Sequence, residues 1–140
     1  MTERSAVSEE SAVRLIHDQG WQSRAVGGVW LAANSPEGHE DALLQLLVAD
    51  ADTAVSEAVA NALLGRGDRL GVELFVRAYT LTMDDQSGTG QQLFSVWWEH
   101  LGEAGRLRER LMALVLSLRH DSDSADVRSA AVDLLAVSGT

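Results

Sequence analysis

The chain contains no cysteine, no lysine and a single proline among its 140 residues. Without cysteine it can form neither a disulfide nor a zinc site with thiolate ligands. Signals for β-strands are scarce too, because strict alternation of apolar and polar residues is rare and valine is the only frequent β-branched residue. These absences predict an all-α protein that folds without disulfides.

Long hydrophobic runs are also missing. No apolar run approaches the roughly 18–20 residues that a membrane-spanning helix needs. The first thirteen residues lack the basic start and the apolar core of a secretory signal. We therefore expect a soluble, cytoplasmic protein with no membrane partner. Because all 11 cationic side chains are arginine, we expect a GC-rich, bacterial source.

The charge is strongly acidic, with 21 Asp and Glu against 11 basic residues and a formal net charge of −10. Proteins that bind nucleic acid carry basic stripes that displace counterions from the phosphates, so this balance argues against a nucleic-acid partner. It permits a basic protein partner. Solubility alone is the competing explanation of the acidity.

Capping residues and glycines divide the chain into eight predicted helices. Ser8 and Asp123 are the predicted N-caps of the first and last of these helices, and Gly20 and Gly65 are predicted breaks. The third helix is expected to begin at Pro36 or Glu37. The predicted helices span residues 8–18, 21–34, 36–49, 52–64, 68–83, 89–101, 103–118 and 123–137.

Two of these helices carry similar sequences, DTAVSEAVANALL at 52–64 and DSADVRSAAVDLL at 123–135. The second and sixth helices fit the same template when Arg24, Ser56, Gln91 and Arg128 are aligned, at spacings of 32, 35 and 37 residues. Periods of this size are typical of stacked helical hairpins. The sequence therefore predicts four hairpin units, near residues 8–34, 36–65, 68–101 and 103–137.

The aligned positions predict which face of each even-numbered helix is buried. Positions −1, +2, +3, +6 and +7 from the aligned residue are mostly apolar and share one helical face. Trp97 and Trp98 both occupy this face, so core packing is expected for both; whichever ring proved exposed would be an interface anchor. Gly27-Gly28 predicts either close approach of a neighbouring helix, which we prefer, or a kink in the second helix, because glycine inside a helix costs about 1 kcal/mol relative to alanine.

The segment DVRSAA at 126–131, followed by Leu134-Leu135, resembles the second helix of a HEAT repeat. Residues 52–64 are similar, with Ser56 in the arginine position. The resemblance implies one α-solenoid domain over 1–140, a right-handed superhelical stack of about four antiparallel hairpins. It also implies protein recognition by the second helices and no cofactor.

On this basis we expect a non-catalytic adaptor, inhibitor or immunity-type protein that binds another protein. The binding surface is predicted on the polar ridge of the second helices, with two valines as apolar islands. The predicted residues are Arg24, Val29, Glu57, Asn61, Gln92, Val96, Glu99, Arg128 and Asp133.

Two alternatives remain open. A small-ligand binder or an enzyme could use the groove of the solenoid, although the predicted core positions hold almost no polar groups. A homodimer could form through the apolar face of a terminal repeat. No metal site is expected, because the four histidines lack partners at ligand spacing. DSDSAD at 121–126 lacks the required residues of a calcium loop.

Overall fold

The computed structural model describes residues 8–50, 52–82, 89–102 and 106–137. Within those ranges the regular structure consists of eight α-helices and contains no strand, which confirms the all-α prediction. The helices are α1 (Glu9–Leu15), α2 (Trp21–Asn34), α3 (Glu40–Val48), α4 (Thr53–Gly65), α5 (Arg69–Thr82), α6 (Thr89–Gly102), α7 (Arg106–Asp121) and α8 (Ala125–Val137). In the described ranges no helix is both long and apolar enough to cross a membrane.

Local hydrogen bonds fix several helix starts. The Ser8 hydroxyl accepts from the Ser11 amide at 3.1 Å, and the Asp52 carboxylate accepts from the Ala54 amide at 2.9 Å. Each bond satisfies an amide that has no partner inside its helix. The prediction of Asp123 as the cap of α8 was wrong, because the Ser124 hydroxyl accepts from the Val127 amide at 3.2 Å.

Two other boundaries differ from the prediction. The third helix begins at Glu40 rather than at Pro36, because Gly38 adopts a φ of 86° in the preceding turn, a conformation open mainly to glycine. The first helix ends at Leu15, and tighter turns carry the chain to Asp18. The predicted start of the seventh helix at Glu103 lies outside the described residues, as do residues 84–88 between the fifth and sixth predicted helices.

Successive helices contact each other in pairs, α1 with α2, α3 with α4, α5 with α6 and α7 with α8, and we call each pair a hairpin. The second helices of the first three hairpins form a layer in which α4 lies between α2 and α6. The last hairpin is arranged differently, because α8 packs mainly on α7 and α5. The right-handed superhelical stack and the HEAT-like identity remain predictions.

Gly27 and Gly28 sit at close helix contacts, which confirms their predicted role. A Cβ atom on Gly27 would lie 2.7 Å from the carbonyl oxygen of Ala12 in α1. A Cβ on Gly28 would lie 2.7 Å from the side chain of Val59 in α4. Because real Cβ atoms essentially never approach so closely, the glycines allow α1 and α4 to contact α2.

Arginines join the hairpins to one another. Arg66 donates to the main-chain oxygens of Ala32 and Ala33 at the end of α2, at 3.0 and 2.8 Å, and forms an ion pair with Asp68. Arg69 in α5 pairs with Asp121 in α7 at 2.7 Å. These guanidinium groups satisfy carbonyl and carboxylate groups at helix ends and so connect neighbouring helices.

Candidate interaction surface

The four second helices share one pattern of burial. When Arg24, Ser56, Thr89 and Val127 are aligned, every described position at +3, +4, +7 and +8 is buried, except for the half-buried Gln92. The buried residues are Gly27, Gly28, Leu31 and Ala32; Val59, Ala60, Leu63 and Leu64; Leu93, Val96 and Trp97; and Ala130, Ala131, Leu134 and Leu135. Positions +2, +5, +6 and +9 contain no buried residue among those described. We call these positions the outer face.

This pattern corrects the predicted alignment by two residues in α6 and by one in α8. Val96 moves to a buried position with 1 % exposure, so its prediction as an apolar island on the surface was wrong. Trp98 moves to the outer face, where it is 53 % exposed, so its predicted core packing was wrong too. Trp97 is fully buried, as predicted.

The outer face of α2 is an uninterrupted apolar stripe. Val26 is 50 % exposed, and Val29 and Trp30 are half-buried beside it. Ala25 and Ala33 complete the stripe, which lines an open depression of about 400 Å³. Since the opposite side of α2 is buried against α1 and α4, this helix is apolar on both sides.

The outer face of α6 carries a second apolar patch. The rings of Phe94 and Trp98 are stacked, with centroids 6.1 Å apart and planes inclined by 26°. Together with Ser95 and Glu99 they line a shallow pocket of about 400 Å³. The indole of Trp98 and the carboxylate of Glu99 both reach solvent.

Helix α4 separates the two patches and presents smaller and more polar groups. Ala58, Asn61 and Ala62 are half-buried, and Glu57 is exposed. Asn61 is hydrogen-bonded to the Nε2 atom of His100 at 2.8 Å, and Gln92 donates to the main-chain oxygen of Thr53 at 3.2 Å. These bonds hold α6 against α4, so Asn61 and Gln92, both predicted as binding residues, have a structural use.

Arg24 also has a structural use. Its guanidinium donates to both carboxylate oxygens of Asp50, at 2.8 and 3.0 Å, and to the main-chain oxygens of Asp18 and Gln19. The hydrogen bond that Arg24 donates to Asp50 raises the pKa of Arg24 above its usual value. This residue ties α2 to the chain after α1 and after α3, so its prediction as a free binding residue does not suit its surroundings.

The remaining predicted residues fall into two groups. Val29 lies on the outer face of α2, and Glu57 and Glu99 are exposed beside the outer face of α4 and of α6. Arg128 and Asp133 are half-buried on α8, and Arg128 donates to the main-chain oxygen of Ser122. Because α8 packs on α5 and α7, the structure groups these two residues with the last hairpin.

Other candidate sites are weaker in the structure. The described residues contain no group of three His, Cys, Asp or Glu side chains that could hold a metal ion. The side chains of Arg66 and Asp68 bind each other at 2.7 Å, so these two charges are paired within the fold. His39, near the start of α3, pairs with Glu9 of α1 at 2.6 Å.

A third apolar depression lies on the last hairpin. It has a volume of about 400 Å³, and Leu116 and Val132, which are 43 % and 46 % exposed, are among its lining residues. Met112, Ala113 and Ala136 add to its apolar lining, and Arg119 lies at the same site. This is the terminal face for which self-association is predicted, and that dimer stays a prediction.

The sequence interpretation missed Val26, Trp30, Phe94 and Trp98 as surface residues. A signal was available in α2, where residues 25–33 read AVGGVWLAA without one polar side chain. A helix that buries only one side does not need apolar residues all round. Such a run indicates either burial on every side or an exposed apolar patch.

Comparison of the chain with family models, with curated proteins and with solved structures found no match. The functional interpretation therefore depends on the outer face of α2, α4 and α6.

Proposed function

We propose that the chain is a non-catalytic protein-interaction module that binds a partner protein through the outer face of α2, α4 and α6. One observation carries the proposal: two helices of the same layer present large apolar side chains on their outer face. Val26 is exposed on α2 with the half-buried Trp30 beside it, and Trp98 is exposed on α6 with the half-buried Phe94 beside it.

Exposed apolar groups in this arrangement favour association. Burial of apolar surface contributes about 25 cal/mol per Å², and tryptophan is enriched among the residues that dominate binding energy. Single exposed apolar residues are common on monomers, but patches flanked by polar groups mark interaction sites. Glu57 and Glu99 provide such a polar margin here.

The shape of the surface favours a macromolecular partner over a small ligand. Each depression is open and lies on the surface of one helix, α2 or α6. A small molecule is usually held in a cleft that covers most of its surface. An open surface spread over three helices offers its area to a partner protein instead.

The experiment compares two identical substitutions at valines of similar exposure. Val26→Asp places a charge on the outer face of α2, and Val132→Asp places the same charge on α8, where the valine is 46 % exposed. Each tagged protein is used to capture partners from cells of the source organism. We expect wild type and Val132→Asp to retain the same partner, and Val26→Asp to lose it.

Circular dichroism of both variants serves as the folding control. Retention of the same proteins by Val26→Asp and by wild type would contradict the proposed surface. Loss of the partner by Val132→Asp alone would assign binding to the last hairpin.

A further inference from the structure

The α6 pocket combines two features that together select a cation. Trp98, which stacks on Phe94, is 53 % exposed, and Glu99 lines the same pocket. Aromatic faces attract ammonium and guanidinium groups through the negative potential over the ring. A carboxylate beside the ring adds a charge-assisted hydrogen bond to the same group.

The charge of the surrounding layer strengthens this selection. The sequences of α2, α4 and α6 contain two glutamates, Glu57 and Glu99, and one arginine. That arginine, Arg24, has its guanidinium bound to Asp50 and to two main-chain oxygens. Both glutamates are exposed, so the described side chains of these three helices present net negative charge to a partner.

We infer that the α6 pocket binds an arginine or lysine side chain of the partner protein. The apolar stripe of α2 binds aliphatic side chains from the same segment of that partner. This inference rests on the proposed function. The occupant is therefore a cationic amphipathic segment lying across α2, α4 and α6. Its cation is recognised by Trp98 and Glu99, and its apolar anchor by Val26 and Trp30.

The spacing of the helices sets the spacing within the partner. Packed helices lie about 8–10 Å apart, so α2 and α6, with α4 between them, are separated by about 16–20 Å. A helical partner rises about 1.5 Å per residue, so its cation and its apolar anchor are separated by about three turns.

A pair of helical peptides tests the inference directly. Both carry leucines in the first two turns, and one carries arginine three turns later where the other carries citrulline, which keeps the shape but has no charge. Binding is measured by fluorescence anisotropy at physiological salt. We expect wild type to bind the arginine peptide about three- to fivefold more tightly than the citrulline peptide.

Three variants test which residues cause the preference for the arginine peptide over the citrulline peptide. We expect Glu99→Gln and Trp98→Ala to abolish most of the preference for arginine. Glu109→Gln removes the same charge from the exposed surface of α7 and should preserve the preference. This control separates recognition by the pocket from general attraction to a protein of net charge −10.

Equal binding of the two peptides by wild type would overturn the inference, as would an unchanged preference in Glu99→Gln or no measurable binding of the arginine peptide. If wild type binds the two peptides equally and Val26→Asp binds neither, the cation pocket is overturned and the proposed surface is retained. Failure of the proposed function is read separately, from partner capture by Val26→Asp.

Discussion

The two sides of α6 carry adjacent tryptophans with opposite surroundings. Trp97 is fully buried and stacks on Phe75 of α5 with ring centroids 6.1 Å apart. Trp98 is 53 % exposed and stacks on Phe94 of its own helix at the same distance. Successive helical residues point about 100° apart, so one step along the chain moves a ring from the core to the outer face. Residue type alone therefore does not separate packing from recognition.

The largest expected effect comes from Trp97→Ala compared with Trp98→Ala. Removing the buried indole leaves a cavity, so we expect a loss of about 3–5 kcal/mol in the free energy of unfolding. Removing the exposed indole should cost less than about 1 kcal/mol, because surface substitutions have small effects. Urea denaturation followed by circular dichroism measures both. Similar losses in the two variants would show that the sides of α6 are not distinct.

The same contrast explains what could be predicted from the sequence. Helix starts such as those at Ser8 and Asp52 depend on hydrogen bonds within three residues, so local sequence reveals them. The buried side of α6 depends on distant contacts. Residues 93–98 read LFSVWW, which places apolar residues on more than one side of the helix. In the structure Trp97 is the tryptophan that contacts Phe75 and is buried.

The ion pair of Arg24 was missed for a similar reason. Its partner Asp50 is 26 residues away in the sequence and reaches it only after α3 has packed. A candidate surface read from helical periodicity alone therefore includes residues whose charges are already bound. Glu57 and Glu99 were predicted as binding residues and are exposed in the structure, and the one arginine in the sequences of α2, α4 and α6 is Arg24, which is bound to Asp50.

A smaller effect is expected from the same substitution at two glycines on opposite sides of the second helices. A Cβ on Gly27 would press on the carbonyl oxygen of Ala12 and on Leu15, so Gly27→Ala should destabilise by about 1–3 kcal/mol. Gly65 lies on the outer face of α4, and a Cβ added there would meet nothing within 4 Å, so Gly65→Ala should be neutral or stabilise by up to about 1 kcal/mol. Thermal unfolding compares the two. If Gly27→Ala changed the free energy of unfolding as little as Gly65→Ala, α1 would be able to move away from α2 at little cost.

The smallest effect concerns Asp50, whose side chain is only 5 % exposed beside Arg24. Burial alone would raise the pKa of Asp50, but the hydrogen bond and charge of Arg24 and the Asp52 amide together hold it below the usual 3.8. Because the folded pKa is the lower one, the stabilisation is present above about pH 4 and is lost as the pH falls through the folded value. Asp50→Asn should therefore lower the melting temperature by a few degrees at pH 7, and the difference from wild type should narrow as the pH falls below about 4. Glu57→Gln, which removes an exposed carboxylate from α4, is the control and should change the melting temperature little. A gap between wild type and Asp50→Asn that stays constant from pH 7 to pH 3 would show that the ion pair does not join α2 to the end of α3 in solution.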